Sequence, residues 1–469
     1  MSSFLLFAYL WAFSGLLDIA PFDAWFVSPW HTLSAAACAI VLLRPGWLPG
    51  FAAMHALRIA TFAWDSPNTA NHQVLYAFAS AAVLCAYPLA ARRTGRRPTR
   101  EDWLESFAPV LRVALFVLYF FGVLHKLNRD YFDPMVSCAV NTFVGVAPAW
   151  LDALATSSLA SRIGLIAGSL LAEAAVPCLL AFGRTRRAGI ALGALFHGFL
   201  GLRFYAFSTG LLALYVLFVP TSVWDGARAR VAQWRARGGL AGALLSPQVA
   251  SAAALSLVAG FGISGAMVGR DSEWAALPGT GFPLFAAGWM ALLFAPLAWL
   301  LGSRLLAAGF AARSPGRLAY ARVLLVFPLL VLFHGFSPYL GLRTVPAFSM
   351  FSNLRTEGGL TNHWFMPNTA LRIADFQEDL VTVRSAEDDE LRRFARRPRR
   401  TFYDFKMRIQ RMAAAGKRDI VVSFRRGSEL TTLARAETDP ELMEPVPWWQ
   451  RKWMKFRPVP IATQRECSW

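Results

Sequence analysis

The sequence is poor in charge, and above all in acidic residues. Charged residues make up 16% of its 469 positions, and 29 acids stand against 47 lysines and arginines. With 56% hydrophobic residues, this composition argues against a soluble domain of such length. From Phe4 to about Phe336 the chain also lacks a Ser/Gly-rich linker and a clear internal repeat. The sequence therefore predicts one continuous apolar domain over that region.

Cysteine and histidine are scarce, with 5 and 7 residues. The histidines are scattered, and none forms a pair one helical turn apart beside an acid, so we predict no metal site. Cys138 and Cys467 both lie in segments that the distribution of apolar runs and arginines places outside a membrane. A disulfide survives in such an oxidising compartment. Sequence alone does not show proximity, so their pairing stays open.

Apolar runs of about 15 to 20 residues dominate the chain, and each is close to the length that spans a bilayer. Ten or eleven can be counted, at about 4–20, 31–48, 51–64, 72–91, 107–125, 162–182, 188–202, 206–222, 249–268, 281–301 and 319–336. The predicted fold class is an all-α polytopic membrane protein with about 10–11 transmembrane helices.

Arginines concentrate in the short connections between these runs. The clusters are Arg92, Arg93, Arg96, Arg97 and Arg100; Arg184, Arg186 and Arg187; Arg228, Arg230, Arg235 and Arg237; and Arg304, Arg313 and Arg317. An even number of runs separates each cluster from the next, so all can lie in the cytoplasm. With eleven spans, the N terminus is cytoplasmic, whereas the loops 18–31, 64–72 and 125–161 and all residues after 337 lie outside. This pattern accounts for the net charge of +18 without nucleic acid, and anionic lipid headgroups of the membrane are the expected partners.

The chain changes character after Leu342, where charged residues become frequent. Alternating segments predict strands at 371–376, 380–384, 420–424 and 430–434. Helices are predicted at 387–396 and 402–414. We therefore divide the chain into a transmembrane domain, residues 1–342, and a small extracytoplasmic α+β tail, residues 343–469.

Lys126 ends an apolar run, between His125 and Asn128. Apolar surroundings disfavour an ammonium ion, so such a lysine can become a neutral base. The other interpretation is an anchor that extends its charge to the membrane surface. Two interpretations also stay open for His72, beside Asn71, and for His197: a functional group or an ordinary interfacial or packing residue.

Candidate binding residues are Asn71, His125, Asn128 and His197, and further polar groups join them. Arg203 lies between two runs and suits an interfacial anchor or a phosphate contact. In the tail, Arg355, Glu357, Asn362 and His363 flank the turn Gly358-Gly359 and are expected to close the mouth of a site.

Four segments together resemble a known family. They are Asn71-His72; Gly122 to Asn128 with Tyr131 to Pro134 and Ser137 to Ala139; Phe196-His197 with Phe207 to Gly210 and Leu217 to Pro220; and Ser349 to Gly359 with Asn362-His363. The chain resembles the vitamin K-dependent γ-glutamyl carboxylase superfamily over roughly residues 1–460. The last segment and Phe456-Arg457-Pro458 resemble its bacterial branch, the horizontally transferred transmembrane (HTTM) domain proteins.

The resemblance implies His72 and Lys126 as catalytic residues and a hydroquinone of the menaquinol or vitamin K type as cofactor. A neutral lysine deprotonates the hydroquinone, oxygen adds, and the resulting alkoxide removes a γ-proton from glutamate so that carbon dioxide adds. The bacterial branch implies the inner membrane as location. The carboxylases' glutamate-substrate and propeptide-binding regions have no match here, and the branch has no settled reaction. Two functions stay open: a carboxylase-like or quinol-dependent enzyme, and a lipid- or quinone-binding membrane protein that assists envelope assembly.

Overall fold

A computed structural model describes residues 2–19, 27–147, 149–236, 247–268, 288–293, 322–367, 371–395, 399–459 and 467. The described chain is mainly helical and carries a small sheet near its end. Its longer helices, numbered in chain order, are α1 (Ser3–Asp18), α2 (Pro29–Leu43), α3 (Leu48–Asp65), α4 (Asn71–Thr94), α5 (Arg100–Leu124), α6 (Cys138–Val144), α7 (Ala149–Thr156), α8 (Leu159–Ala181), α9 (Arg186–Gly201), α10 (Tyr205–Val216), α11 (Thr221–Ala236), α12 (Pro247–Val268) and α13 (Val326–Leu340). Most of the span predicted at 281–301 and the residues Arg237, Arg304, Arg313 and Arg317 lie outside the described residues.

Four helices of this described part are long and apolar enough to cross a membrane. They are α4, α5, α8 and the stretch Arg322–Leu340, in which a 3₁₀ turn (Arg322–Leu325) precedes α13. Four shorter apolar helical stretches are Ser3–Asp18, Pro29–Leu43, Tyr205–Val216 and Gln248–Gly260. Helix length and composition thus support membrane-spanning character.

Helix α1 lies in the centre of the main core. Every residue from Phe7 to Leu17 is buried, as expected of a helix that is apolar on all sides. It packs against α2 and α10, and an aromatic cluster around Trp11 joins it to α3 and α4. Gly210 of α10 leaves room for Tyr76 of α4, because a Cβ atom at position 210 would lie 1.9 Å from the Tyr76 hydroxyl.

The tail contains a four-stranded antiparallel sheet in the order β2-β1-β3-β4. The elements are β1 (Leu380–Ala386), α14 (Asp389–Ala395), β2 (Arg400–Thr401), α15 (Phe402–Ala414), β3 (Val422–Arg426) and β4 (Glu429–Leu433), followed by the short helices α16 (Pro440–Met443) and α17 (Trp448–Trp453). Helix α15 begins after Thr401, whose hydroxyl accepts the Asp404 N–H at 3.2 Å. It buries Phe405 and Ile409 in a separate core against the sheet. Three of the predicted strands and both predicted helices of the tail are thus present; α15 has the predicted bounds 402–414, and the other elements differ from prediction at one or both ends.

The strand predicted at 371–376 is wrong, because this segment is irregular. Its backbone forms hydrogen bonds with the end of α13 and not with a neighbouring strand. The N–H groups of Ile373 and Ala374 donate to the Leu340 carbonyl at 3.1 and 3.3 Å. The last carbonyls of a helix lack partners within the helix, so this capping competes with strand pairing.

Candidate functional site

A cavity lies where the start of α4, the end of α5 and helices α8, α9 and α10 meet. His72 and Lys126 both line it, although they come from different segments of the sequence. Its lining is Asn71, His72, Leu118, Tyr119, Gly122, Lys126, Glu173, His197, Leu200, Phe204, Phe207, Leu211, Phe348, Met350 and Phe351. The volume is about 70 Å³, which is room for about five water molecules. The site is thus small and mainly apolar, with a few polar groups that converge on it.

The Lys126 ammonium donates a hydrogen bond to the Glu173 carboxylate of α8. Both side chains are largely buried, with 6% and 15% exposed. Glu173 was not among the residues predicted from the sequence. An acid inside the apolar helix α8 was a usable signal, because ionisable groups within membrane helices are costly and often functional. Lys126 therefore forms a buried ion pair and is not a free anchor.

His72 has a carboxylate partner from the end of α1. Its Nε2 lies 2.6 Å from Asp18 Oδ1, and Arg58 of α3 donates to Asp18 Oδ2 at 2.8 Å. Arg58 is held in turn by the Trp11 carbonyl at 2.9 Å. The carboxylate fixes the imidazole ring at the cavity wall. Asp18 and Arg58 were not among the site residues predicted from the sequence.

His197 belongs to a chain of hydrogen bonds across three helices. Its Nε2 lies 2.8 Å from the Tyr119 hydroxyl of α5, which is also bonded to the Tyr215 hydroxyl of α10. His197 and Tyr119 line the cavity, so this network offers groups that can pass or hold a proton at its wall.

His125 and Asn128 stand beside Lys126 but serve the surrounding architecture. The two ring nitrogens of His125 face the carbonyls of Phe348 and Gly335 at 3.1 and 3.2 Å. The Asn128 amide donates to His125 O and Ser352 O, at 2.7 and 2.5 Å. Neither residue lines the cavity, and both hold the end of α5 against the tail.

Residues 343–367 form a cover segment over these helix ends. Phe348, Met350 and Phe351 of this segment line the cavity. The Phe348 N–H donates to Asn71 Oδ1 at 2.5 Å, which fastens the cover segment to the start of α4. Phe348, Phe351 and Asn353 have φ angles of 56°, 56° and 54°, a left-handed conformation that costs a residue with a side chain about 1 kcal/mol or more. Such strain persists where the surrounding contacts fix the backbone.

The polar residues predicted to close the mouth lie in the cover segment but do not line the cavity. Buried Glu357 accepts the Thr356 N–H at 3.0 Å and lies 3.5 Å from Arg457 Nε. The Arg355 N–H donates to Asn362 Oδ1 at 2.8 Å. These contacts hold the cover segment together.

His363 connects the cover segment to α5 by hydrogen bonds. Its Nδ1 accepts the N–H groups of Phe365 and Met366 at 3.0 and 2.9 Å, so the proton is on Nε2, which donates to the Leu124 carbonyl at 2.8 Å. Burial lowers the pKa of His363 below its usual value. A neutral His363 thus satisfies a carbonyl at the helix end, where α5 has no partner of its own.

Arg203 lies away from the cavity lining. Its guanidinium donates to the Gly145 carbonyl at 3.1 Å and lies 5.9 Å from the Phe204 ring centre. It therefore links the loop after α6 to the turn between α9 and α10.

Cys138 and Cys467 form a disulfide, with Cα atoms 4.9 Å apart. Among the described residues no group of three or more His, Cys, Asp or Glu side chains is placed to hold a metal ion. No family model, curated protein or solved structure matches this chain.

Proposed function

We propose that this protein is a carboxylase-like membrane protein whose cavity takes a lipid-soluble hydroquinone, with Lys126 as base and His72 as its partner. One observation carries the proposal. His72 and Lys126, which the resemblance singles out from separate motifs, line one cavity together with Glu173 and His197.

The proposed topology has ten or eleven spans in the bacterial inner membrane, a cytoplasmic N terminus and an extracytoplasmic tail. Contacts between loops support it, because loops predicted to share the outer face meet. The Trp364 N–H donates to Leu127 O, and the Lys452 ammonium donates to the carbonyls of Ala63 and Trp64, all at 3.0 to 3.1 Å. The Cys138–Cys467 disulfide also suits an oxidising compartment.

The Lys126–Glu173 pair supplies a proton acceptor. Within the pair, transfer of a proton from the ammonium to the carboxylate leaves a neutral amine and a carboxylic acid. If a hydroquinone were bound, the Lys126 amine would accept the proton of its hydroxyl group and become an ammonium again, while Glu173 would hold the proton received from the lysine. A His72 ring held by Asp18 stabilises negative charge on the substrate oxygen. Dioxygen is the oxidant that this proposal requires.

A binding protein without catalysis is the second candidate. Lys126 is already bonded to Glu173, and most other lining side chains are apolar. Such a site holds a lipid or quinone headgroup without any chemical step, in a protein that assists envelope assembly.

Two measurements separate the candidates. Mass spectrometry of lipids that co-purify with the protein is expected to find a quinone; phospholipid alone would favour the second candidate. Oxygen consumption with a reduced menaquinone analogue is expected in wild type and absent in Lys126→Ala.

The decisive variant is Lys126→Arg, which we expect to be inactive. Arginine retains the charge but does not lose its proton in proteins, so it cannot act as the base. Lys452→Arg is the matched control, because Lys452 contacts helix-end carbonyls outside the cavity. Full activity of Lys126→Arg at matched expression would refute the base assignment.

A further inference from the structure

A second and larger opening lies in the tail, between α14, α15 and the segment around α17. We call it the basic cleft; its volume is about 800 Å³. Six cationic residues line it: Arg400, Arg408, Arg411, Lys417, Arg451 and Lys455. Three acids, Asp389, Glu390 and Asp404, also line it, so the formal balance is +3.

Local ion pairs neutralise only part of this cationic lining. Arg408 pairs with Glu390, and Lys417 pairs with Asp388 at 2.5 Å. Within the described chain, Arg411, Arg451 and Lys455 have no carboxylate at ion-pair distance. The cleft thus keeps unneutralised positive charge at its wall.

Lys455 shows that these cations lie close together. Burial lowers the pKa of its ammonium, and the neighbouring guanidiniums of Arg343, Arg411 and Arg400 lower it further. Asp404 is the nearby acid, but burial raises its pKa to about 7 despite Arg400 and Lys455. At neutral pH this carboxyl is therefore partly protonated and offsets the cations incompletely.

Tyr403 adds an unused hydrogen-bond donor. The residue is 8% exposed and lines the cleft, and its hydroxyl has no partner among the described residues. Its ring is fixed edge-on against Phe376 and Phe456, which places the hydroxyl rigidly. A buried hydroxyl without a partner is costly, and an anion's oxygen would satisfy it.

The cleft also lies beside the helix ends that are proposed to reach the membrane surface. Pro67 and Asn68, from the loop between α3 and α4, form part of its wall. Trp448 and Trp449 of α17 are 69% and 50% exposed, and tryptophans are enriched at the depth of lipid headgroups. The cleft is thus accessible both to headgroups and to soluble anions.

We propose that the basic cleft binds a phosphate-bearing anion through Arg411, Arg451, Lys455 and the Tyr403 hydroxyl. Guanidinium groups pair with phosphate oxygens through two parallel hydrogen bonds, and the arginines and the hydroxyl supply donors around one volume. The phosphate belongs either to an anionic phospholipid headgroup or to a soluble phosphate ester. This site is separate from the Lys126 cavity and stands whether or not that cavity is catalytic.

The test measures the melting temperature of the full-length protein in detergent at constant ionic strength. The probes are glycerol 3-phosphate in solution, and mixed micelles containing phosphatidylglycerol, with phosphatidylcholine micelles as the neutral reference. We expect a saturable rise with at least one phosphate probe. A response to phosphatidylglycerol alone identifies a lipid site, and a response to glycerol 3-phosphate identifies a site for soluble esters.

The variant pair Arg411→Gln/Arg451→Gln should weaken the apparent affinity about tenfold or more, because two charge-assisted bonds are lost. Both side chains are exposed, so folding should survive. Arg384→Gln/Arg425→Gln removes the same charge from exposed strand positions outside the cleft and should leave binding intact.

Tyr403→Phe should weaken binding without loss of stability. Absence of any saturable rise in wild type, or equal weakening in both double variants, would overturn the proposal.

Discussion

At the scale of residues, the polar groups of the cavity work in pairs drawn from distant helices. Lys126 meets Glu173, His72 meets Asp18, and His197 meets Tyr119. In apolar surroundings an isolated charge or imidazole is costly, whereas a bonded pair is tolerated. The sequence identified one member of each pair, because a polar residue stands out within an apolar run. It did not identify the partner, which depends on how the helices pack.

His363 provides a test at this scale. His363→Ala removes hydrogen bonds to Leu124, Phe365 and Met366, so we expect a loss of about 1–3 kcal/mol in the free energy of unfolding. The pKa of His363 is lowered in the fold, so its stabilisation is complete above the pKa of the unfolded chain and is lost as the pH falls.

The stability difference between wild type and His363→Ala should therefore narrow between pH 7 and pH 5. Thermal unfolding of the purified protein at both values measures it. Leu360→Ala, at a nearby residue that is 48% exposed, serves as the control. A difference that widens on acidification would show that the imidazole is charged in the fold.

At the scale of elements, the cover segment has no regular secondary structure and yet is extensively bonded. Asn71, His125 and Asn128 bind its backbone, and His363 returns a bond to α5. Helix α5 illustrates why this occurs, since its last carbonyls need partners from outside the helix. The aromatic residues of the segment indicated from the sequence that it packs on helix ends. The left-handed backbone conformation of Phe348 and Phe351 could not be predicted in this way.

Cysteine labelling tests the position of the cover segment. Leu360 is 48% exposed and Ser352 is 1% exposed, so a membrane-impermeant maleimide should label Leu360→Cys quickly and Ser352→Cys slowly. Both are measured in intact cells, with Cys85 and Cys178 replaced by serine to remove exposed thiols.

Arg96→Cys, in a predicted cytoplasmic loop, is the topological control and should react only after the inner membrane is opened. Equal labelling of Ser352→Cys and Leu360→Cys would contradict a closed cover. Labelling of Arg96→Cys in intact cells would reverse the proposed orientation.

At the scale of the whole molecule, two large apolar cores and one disulfide organise the described residues. The helical core surrounds α1, and the tail sheet and α15 have a core of their own. The Cys138–Cys467 bond connects residues 329 positions apart and fixes the last described residue to the start of α6. The division at residue 343 stays a prediction, and the cover segment just beyond it packs directly on the helix ends.

Loss of this disulfide should destabilise the molecule. Cys467→Ser should reduce the free energy of unfolding by about 2–5 kcal/mol, the usual effect of removing a native disulfide, whereas Cys178→Ser, at a free cysteine, should change it little. Thermal unfolding without reductant measures both.

The redox state of the Cys138–Cys467 disulfide in cells also tests whether the tail lies outside the cytoplasm. In cells, a maleimide mass tag should attach to Cys138 and Cys467 after reduction and denaturation but not before reduction. Tagging of both thiols without reductant would argue against an extracytoplasmic tail.

The sequence by itself determined the helical character of the described residues before 341, most of the tail's secondary structure and one member of each polar pair. Those features depend on local periodicity, helix length and the cost of polarity in apolar runs. Tertiary structure decided the rest: Glu173 beside Lys126, Asp18 beside His72, the irregular segment 371–376 and the basic cleft. These features arise from contacts between residues far apart in the chain, and one sequence read locally does not specify which distant groups will meet.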